Sequence, residues 1–297
     1  MDLKELYGKV SKLEEELPKK IFGQEEAVRV FAEGFFSSEL LADADVKRTG
    51  PRGVYLFTGS RGVGKAYLAE LAAAELGLPS GRYIMSGVAD DLQCRMLVGS
   101  SGHRHPKEGT LTGFVRKHPS AIIIFDSFAK THPETMAVIR EILDRGIVLD
   151  EFLDEEVSFR DCHIVFTSNA DYSYAVNQIH GWEVSFKEPD DKDITRIVCD
   201  ELDKSFSLFE KAYGIRIEAD EALADYLRVV NGVFMGSRLL RSEVDRFFRD
   251  EIYKLRPLIE GDGTCADGHC TVIRFRLVEK VNPAENEDPR AVEVTFS

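Results

Sequence analysis

The sequence predicts an α/β protein with a doubly wound parallel sheet, followed by a smaller, mainly helical α+β domain. Three observations predict it. A glycine-rich loop with a lysine, Gly59–Ala66, joins an apolar strand-like run to a segment with helical periodicity. The apolar run Ala121–Asp126 suits a parallel strand that is covered on both faces. After a Pro-Asp linker the pattern changes to long helices, so we place the domains at 1–187 and 188–297.

Hydrophobic periodicity gives the order of the elements. Strands are predicted at 53–58, 82–85, 121–126, 157–159 and 163–167 of the larger domain, and at 271–278 and 291–296 of the smaller one. Helices are predicted at 3–17, from the stretch 21–28 onward to about 41, and at 63–77, 89–99, 111–118, 133–145, about 191–213, 220–230 and 237–256. Strands that alternate with helices favour the doubly wound arrangement.

Composition favours a soluble globular protein. The 297 residues carry a formal net charge of −14, whereas a general nucleic-acid binder usually has a basic face. No apolar run approaches the roughly 20 residues that cross a bilayer, and the charged N-terminus lacks an apolar signal region. Five cysteines are too few for a disulfide scaffold. We therefore expect a cytoplasmic protein without a nucleic-acid or membrane partner.

The loop between the first strand and its helix is predicted to bind the phosphates of a nucleotide. Its residues are Gly59, Ser60, Arg61, Gly62, Val63, Gly64, Lys65 and Ala66. Glycines let backbone N–H groups point at phosphate oxygens, the lysine neutralises the outer phosphates, and the helix N-terminus adds a favourable dipole. The position after the lysine normally carries a hydroxyl that binds Mg²⁺, and here it is Ala66. A weakened Mg²⁺ site is therefore expected.

An acidic residue at the end of a neighbouring strand usually accompanies such a loop. Asp126 has this position and is predicted to hold Mg²⁺ through water, although a carboxylate that ends a strand can also be a turn or helix-cap residue. The next position is normally a glutamate that activates water, and here it is Ser127. A hydroxyl is a poor base, and loss of a positioned base costs roughly 10²–10⁴-fold in rate.

Two further polar residues are candidates for the same site. Asn169 follows the strand at 163–167 and could hydrogen-bond the outer phosphate or the attacking water, or could be an ordinary strand-to-loop residue. Arg238, at the start of a predicted helix, could reach the phosphates from the smaller domain, or could simply be solvated.

Taken in order, these segments resemble the Clp-type AAA+ ATPase module. The resemblance covers about residues 20–275 and rests on IFGQEEAV at 21–28, the phosphate loop, LT at 111–112 with VR at 115–116, IFD at 124–126, LDRG at 143–146, VSFR at 157–160, TSN at 167–169 and GSRLLR at 236–241. It implies an AAA+ large domain and a small C-terminal domain, with ATP or ADP as ligand. It implies adenine near Ile21 and Phe22, a sensor-1 role for Asn169 and a sensor-2 role for Arg238. It also implies self-association in a hexameric ring, or assembly with another AAA+ protein, and a protein as substrate or partner.

The chain departs from that family at four points. Ala66 and Ser127 replace the metal-binding hydroxyl and the catalytic glutamate. The stretch at 102–105 lacks the aromatic residue with which the family's pore loop grips a polypeptide, and the segment 169–186 contains no arginine to serve as an arginine finger. We therefore expect a module that binds ATP, hydrolyses it weakly or not at all, and acts in assembly or regulation. The alternative is an active ATP-dependent unfoldase or disaggregase in which Asp91 or Glu108 substitutes for the missing acid.

Two other motifs leave alternatives open. Cys265 and Cys270 enclose an Asp-Gly pair that suits a hairpin turn better than a metal site. The loop with His103, Arg104 and His105 could bind an anion or a partner, or could be solvated.

Overall fold

The structure is a computed structural model, and it describes residues 2–45, 47–85, 91–101, 106–169, 176–232, 234, 236–256, 272–280 and 288–296, without the side chains of residues 43, 91–93 and 130. The chain divides into two compact units, Met1–Glu188 and Pro189–Ser297. That the two are separate folding domains, at 1–187 and 188–297, stays a prediction.

The first unit contains six helices and seven strands among its described residues. The helices are α1 (Leu3–Glu16), α2 (Glu25–Ala44), α3 (Lys65–Leu76), α4 (Asp91–Val98), α5 (Thr110–Lys117) and α6 (Pro133–Arg145). The strands are β1 (Gly53–Thr58), β2 (Ser80–Ile84), β3 (Ile122–Asp126), β4 (Ile147–Asp150), β5 (Glu155–Ser158), β6 (His163–Ser168) and β7 (Trp182–Ser185).

Five of these strands form one parallel sheet in the order β2-β3-β6-β1-β7, which confirms the predicted α/β class. Thr58 is paired with Ser168, and Ile84 is paired with Asp126. Because the strands are parallel, the residues that follow their carboxyl ends meet at one edge of the sheet. This register places the start of the phosphate loop beside the end of β6, with Asp126 at the same edge on the other side of β6.

Helices cover both faces of the sheet. Tyr55 and Phe57 of β1 point to the side covered by α1, α2 and α3, where Phe31 packs 5.0 Å from the Tyr55 ring centroid. Leu56 points to the other side and joins a second cluster with residues of α4, α5 and α6. A strand that is buried on both faces needs apolar residues at every position, which explains the unbroken run of β3.

A buried polar network lies under the C-terminal half of α2, at the amino ends of β1 and β6. Glu39 accepts a hydrogen bond of 2.9 Å from Arg52 and lies 3.0 Å from Nε2 of His163. Tyr55, fully buried, places its hydroxyl 3.3 Å from Ser38 and 3.4 Å from Nδ1 of His163. The polar atoms therefore satisfy one another inside an otherwise apolar interior.

The second unit has helices packed on a small mixed sheet. Its described elements are α7 (Asp191–Tyr213), β8 (Arg216–Ala219), α8 (Leu223–Asn231), α9 (Ser237–Lys254), β9 (Val272–Glu279) and β10 (Arg290–Phe296), and the strand order is β10-β9-β8. Phe206 of α7 and Phe248 of α9 stack against Phe275 of β9. This aromatic cluster forms the centre of the unit.

Several sequence predictions needed correction. Strands β4, β7 and β8 were not predicted, because each has only four residues and even the apolar run of β4 is only three residues long. The first helix ends at Glu16 rather than at 17, and a 3₁₀ turn, Leu17–Lys19, follows. Pro18 lies in that turn and has no N–H with which to continue an α-helix. Among the residues that the structure describes, no helix is long and apolar enough to cross a membrane.

Candidate nucleotide site

The loop between β1 and α3 has the backbone that the glycine pattern predicts. Gly59 has φ +136° and Gly64 has φ +102°, values that L side chains rarely adopt. A Cβ on Gly59 would lie 2.5 Å from the carbonyl oxygen of Phe186, and a Cβ on Gly64 would lie 2.7 Å from Ile21. Only glycine fits at these two positions. The loop therefore forms a concave backbone segment that ends at the N-terminus of a twelve-residue helix.

Lys65, the first residue of α3, folds back over the loop. Its ammonium donates hydrogen bonds of 2.7 Å to the carbonyl oxygen of Gly59 and 2.6 Å to that of Ser60. The residue is only 6% exposed, and burial lowers the pKa of the ammonium to about 8, against the opposing effect of the Asp126 charge. Phosphate oxygens would give this cation stronger acceptors than the two neutral carbonyls.

Asp126 ends β3 and is held by its neighbours in the sheet. Thr167 of β6 donates a hydrogen bond of 2.5 Å to Oδ1 of Asp126, and the same hydroxyl accepts one of 3.0 Å from the backbone N–H of Ser127. Burial raises the pKa of Asp126, but hydrogen bonds from Thr167 and Arg82 outweigh that effect and hold it below the usual value. The carboxylate is therefore charged near neutral pH.

Arg82 was not among the sequence candidates, although it was predicted to lie in a strand. It lies on β2, and its Nε and Nη2 both donate to Oδ2 of Asp126, with an Nε distance of 3.1 Å. Its Nη1 donates a hydrogen bond of 3.1 Å to Glu70 of α3. A guanidinium thus lies between the acidic residue of the site and the helix that starts at the phosphate loop. The strand order, which places β2 next to β3, was needed to find it.

Ser127, at the position where the family has its glutamate, has φ +62°. This left-handed conformation is uncommon for residues other than glycine and indicates local strain. The strain lies directly after Asp126, and the Ser127 N–H is tied to Thr167. A serine hydroxyl at this position cannot serve as an effective general base.

A second residue that the sequence did not single out is Glu188. Its Oε1 accepts a hydrogen bond of 2.8 Å from the hydroxyl of Ser60, the second residue of the loop. Beside it, the buried side chain of Gln24 donates to the carbonyl of Lys187 at 2.8 Å and accepts from the Lys187 N–H at 3.3 Å. Two hydrogen bonds therefore connect the start of α2 to the segment after β7, beside the phosphate loop.

The segment predicted to hold adenine, Ile21 and Phe22, lies just before Gln24 and beside the phosphate loop. Ile21 is buried and lies against Gly64, as the close approach of its Cδ1 shows, while Phe22 is half-buried. Phe186, largely buried, approaches Gly59 from the other direction. The assignment of adenine to Ile21 and Phe22 stays a prediction.

The remaining candidates are placed as follows. Asn169 is exposed and lies one residue beyond the Thr58–Ser168 pair, beside the start of the loop. Arg238 is exposed in the first turn of α9, in the second unit. Glu108, offered as a substitute acid, is instead held by Arg116 of α5. The sensor roles of Asn169 and Arg238 stay predictions.

Some predicted features lie outside the described residues. These are the loop at 102–105, the side chain of Asp91 and the Cys265–Cys270 segment. Within the described part of the chain, no group of three or more His, Cys, Asp and Glu side chains could hold a metal ion. The acidic run from 150 to 156 lies in the hairpin of β4 and β5, where Asp150 is buried and accepts a hydrogen bond of 2.5 Å from Thr112 while residues 151–156 are exposed.

The residues at the site do not form the usual Mg²⁺ donor set. The methyl group of Ala66 is buried in the apolar cluster under α3 and offers no oxygen. Oδ1 of Asp126 is engaged by Thr167 and Oδ2 by the Arg82 guanidinium. Mg²⁺ prefers oxygen ligands such as carboxylates, hydroxyls and waters, so a hydroxyl is lost and the one carboxylate is already paired with a cation.

Comparison with known proteins identifies the region that carries this site. Residues 50–208 match the model of the AAA domain family (Cdc48 subfamily). A probable ATP-dependent Clp protease ATP-binding subunit from Chlamydia pneumoniae is 32% identical over 54% of this chain and 19% of its own length. The chaperone protein ClpB of Bacteroides thetaiotaomicron is 32% identical over 61% of this chain and 21% of its own, and ClpB of Tropheryma whipplei is 34% identical over 54% and 23%. The chain thus matches about a fifth of the length of these curated relatives.

Proposed function

This chain belongs to the AAA domain family, Cdc48 subfamily, as a Clp-type AAA+ module, and from that membership we propose that it binds ATP but hydrolyses it weakly or not at all. The observation that carries the proposal is the contrast within one site. The phosphate loop and Lys65 have the geometry for binding, whereas the positions tied to hydrolysis carry Ala66 and Ser127.

Binding would use groups that are already in position. The loop N–H groups and the N-terminus of α3 would contact the phosphates, and Lys65 would exchange the carbonyls of Gly59 and Ser60 for phosphate oxygens. The Ser60–Glu188 hydrogen bond lies where the segment after β7 meets the loop. Nucleotide that contacts the loop would therefore also act on this segment, which leads directly into the second unit.

Hydrolysis would lack a base. Ser127 cannot accept a proton from water near neutral pH, and Thr167 already donates its proton to Asp126. The carboxylate of Glu188 is bonded to Ser60, at the beginning of the loop rather than at its Lys65 end. ATP would then serve as a ligand that fixes a conformation, in assembly of this protein with itself or with another AAA+ protein, or in regulating a protein partner.

The test is a nucleotide-binding isotherm and a turnover measurement on the same sample. We expect calorimetry to detect ATP binding and phosphate release to stay far below an ordinary ATPase rate of roughly 1 s⁻¹. No binding at millimolar ATP would end the proposal, and so would turnover at ordinary rates. Size-exclusion chromatography with light scattering, with and without ATP, then tests the assembly role.

The double variant Ala66→Thr with Ser127→Glu tests whether these two residues cause the weak hydrolysis. Restoring both groups should raise turnover about 10²-fold or more, because a positioned base alone contributes roughly that factor. Ala66→Ser with Ser127→Gln is the matched control, since it restores a hydroxyl and adds side-chain length without a base. An unfoldase role would instead be favoured if the unaltered chain unfolded a tagged substrate in an ATP-dependent way that Lys65→Ala abolished.

A further inference from the structure

We propose that two copies of this chain pair through β10 of the second unit, so that their three-stranded sheets join into one sheet of six strands. The sheet order is β10-β9-β8, and among the described residues no strand pairs with the outer edge of β10. That strand is seven residues long and contains neither lysine nor proline, with which proteins often protect an exposed edge. The inference goes beyond the proposed function, because the pairing involves no nucleotide.

The hydrogen bonds of the sheet show which backbone groups of β10 point outward. The N–H of Lys280 donates to the carbonyl of Pro289 at 2.7 Å, and these two residues continue the register of the antiparallel β9–β10 pair. Hydrogen-bonded and non-hydrogen-bonded positions alternate along such a pair. The backbone groups that point away from β9 are therefore those of Val292, Val294 and Phe296.

The far side of β9 agrees with this assignment. Leu277 lies opposite Val292, and Phe275 lies opposite Val294. The N–H of Leu277 donates a hydrogen bond of 2.5 Å to the side chain of Asp220, and the carbonyl of Phe275 accepts one of 3.0 Å from the Asp220 N–H. Both groups thus point toward β8, so their opposite residues on β10 point toward the outer edge.

The side chains of the outward-pointing residues form the apolar side of β10. Val294 and Phe296 lie opposite Phe275 and Ile273, which are fully buried, yet both are only half-buried at the edge. The residues between them in the sequence are exposed on the other face. A further strand would cover the remaining apolar surface and also supply backbone hydrogen bonds.

A second copy of the same strand is complementary to this edge. A two-fold axis that places Val294 opposite the partner's Val294 also places Val292 opposite the partner's Phe296, and the outward backbone groups of all three residues are then paired. Glu293 faces the partner's Thr295, so no like charges meet. Sliding one copy by two residues would instead place Glu293 opposite the partner's Glu293, which is unfavourable. Because both copies use the same surface, association stops at two.

The strand is already fixed in position for this pairing. Arg290, its first residue, donates a hydrogen bond of 2.8 Å to Asp288, lies 3.6 Å from Asp225 of α8 and lies over the Tyr226 ring at 5.6 Å. The paired residues, 292–296, leave these contacts in place. Little conformational freedom is then lost on association, which favours binding.

Sedimentation equilibrium on the full chain, without nucleotide and in EDTA, tests the pairing. We expect a monomer–dimer equilibrium with a Kd of roughly 10–100 µM, since such an edge contact is small. Thr295→Glu places a like charge opposite Glu293 at both symmetric positions and should weaken the dimer about fivefold or more, whereas Thr295→Lys should tighten it about threefold. Ala291→Glu adds the same charge on the same face, outside the paired residues, and should change the Kd less than about twofold.

Cysteine variants test the register. Val294→Cys should give a disulfide-linked dimer with oxidised glutathione, because opposite residues in a hydrogen-bonded pair have Cα atoms about 5.5 Å apart, within the reach of a disulfide. Glu293→Cys is the control, since its counterpart in the partner lies diagonally, about 7–8 Å away, and should link poorly. Mass spectrometry of the linked peptides separates these products from links through the five native cysteines.

The outcomes separate this inference from the proposed function. A chain that stays monomeric at roughly 0.2 mM overturns the inference, and so does a dimer that Thr295→Glu and Thr295→Lys affect equally although both variants unfold at the temperature of the unaltered chain. Val294→Cys that links no better than Glu293→Cys overturns the register. ATP binding is measured separately, so its absence would end the proposed function and leave the dimer standing.

Discussion

The Thr167 hydroxyl joins two residues of the candidate site, donating a hydrogen bond of 2.5 Å to Asp126 while accepting one of 3.0 Å from the Ser127 N–H. One side chain on β6 thereby holds the acid at the end of β3 and the strained residue after it. The site is fixed by a contact across the sheet as well as by its own loop. Loss of the Thr167 hydroxyl should therefore affect both residues.

Thr167→Val should destabilise the first unit by about 1–3 kcal/mol, because it leaves the Ser127 N–H without its acceptor and removes a bond to Asp126. Urea unfolding monitored by circular dichroism measures the change. Thr167→Ser retains the hydroxyl and should cost about 1 kcal/mol less than Thr167→Val. A Thr167→Ser variant that is as unstable as Thr167→Val would contradict the assignment of the loss to the hydroxyl.

ATP binding should weaken as the pH rises above about 8. Burial lowers the pKa of Lys65 to about 8, so the free site loses its ammonium charge above that pH, whereas phosphate requires the protonated form. Binding at pH 9 should then take up a proton, which calorimetry in buffers of different ionisation enthalpy detects. Lys65→Met should bind weakly and without proton uptake. An affinity that stays constant from pH 7 to pH 9 contradicts the prediction.

The buried network at the amino end of the sheet predicts sensitivity to acid. Burial raises the pKa of Glu39, but His163 and Arg52 outweigh it and lower the pKa below the usual value. A carboxyl group with a lowered folded-state pKa stabilises the protein above its unfolded pKa of about 4.3, and this contribution is lost as the pH falls through the folded value. The free energy of unfolding should therefore decline below about pH 4.

Replacement of that carboxylate tests the same network at neutral pH. Glu39→Gln removes the buried carboxylate that Arg52 and His163 share, although Asp161 still lies 3.7 Å from Arg52, and should cost about 3–5 kcal/mol. Glu33→Gln, on the exposed side of the same helix, should change stability by about 0.5 kcal/mol or less, since exposed ion pairs contribute little. Equal effects of the two variants in chemical denaturation would contradict the interpretation of a buried network.

Gly59→Ala should impair both stability and ATP binding. The added Cβ would lie 2.5 Å from the Phe186 carbonyl oxygen at a φ of +136°, so the loop must move. We expect a loss of stability of about 1–3 kcal/mol and at least tenfold weaker ATP binding. Gly8→Ala is the matched control: it lies within α1 with nothing near its Cβ position, and it should stabilise by about 0.5–1 kcal/mol. Tight ATP binding by Gly59→Ala would show that the loop tolerates another geometry.

The sequence predicted the parts of the site that are local in the chain. Glycine spacing located the phosphate loop, and the apolar run ending in Asp126 located β3, because each signal lies within a few consecutive residues. Contacts between distant segments were not predictable: Ser60 and Glu188 are separated by 128 positions. Arg82 was assigned to a strand, but its contact with Asp126 depends on which strands are neighbours, and periodicity does not give that order.

The two helices that precede residue 50 limit how the protein can be shortened. The family match starts at residue 50, yet Phe31 of α2 covers Tyr55 and Phe57 of β1, and Leu13 and Leu17 lie in the same apolar cluster. Expression of residues 50–208 alone would remove α1 and α2 from one side of β1, so that only α3 covers that side, and would also remove the hydrogen bonds between Gln24 and Lys187. We expect such a fragment to aggregate, and work on the isolated first unit should retain its first fifty residues.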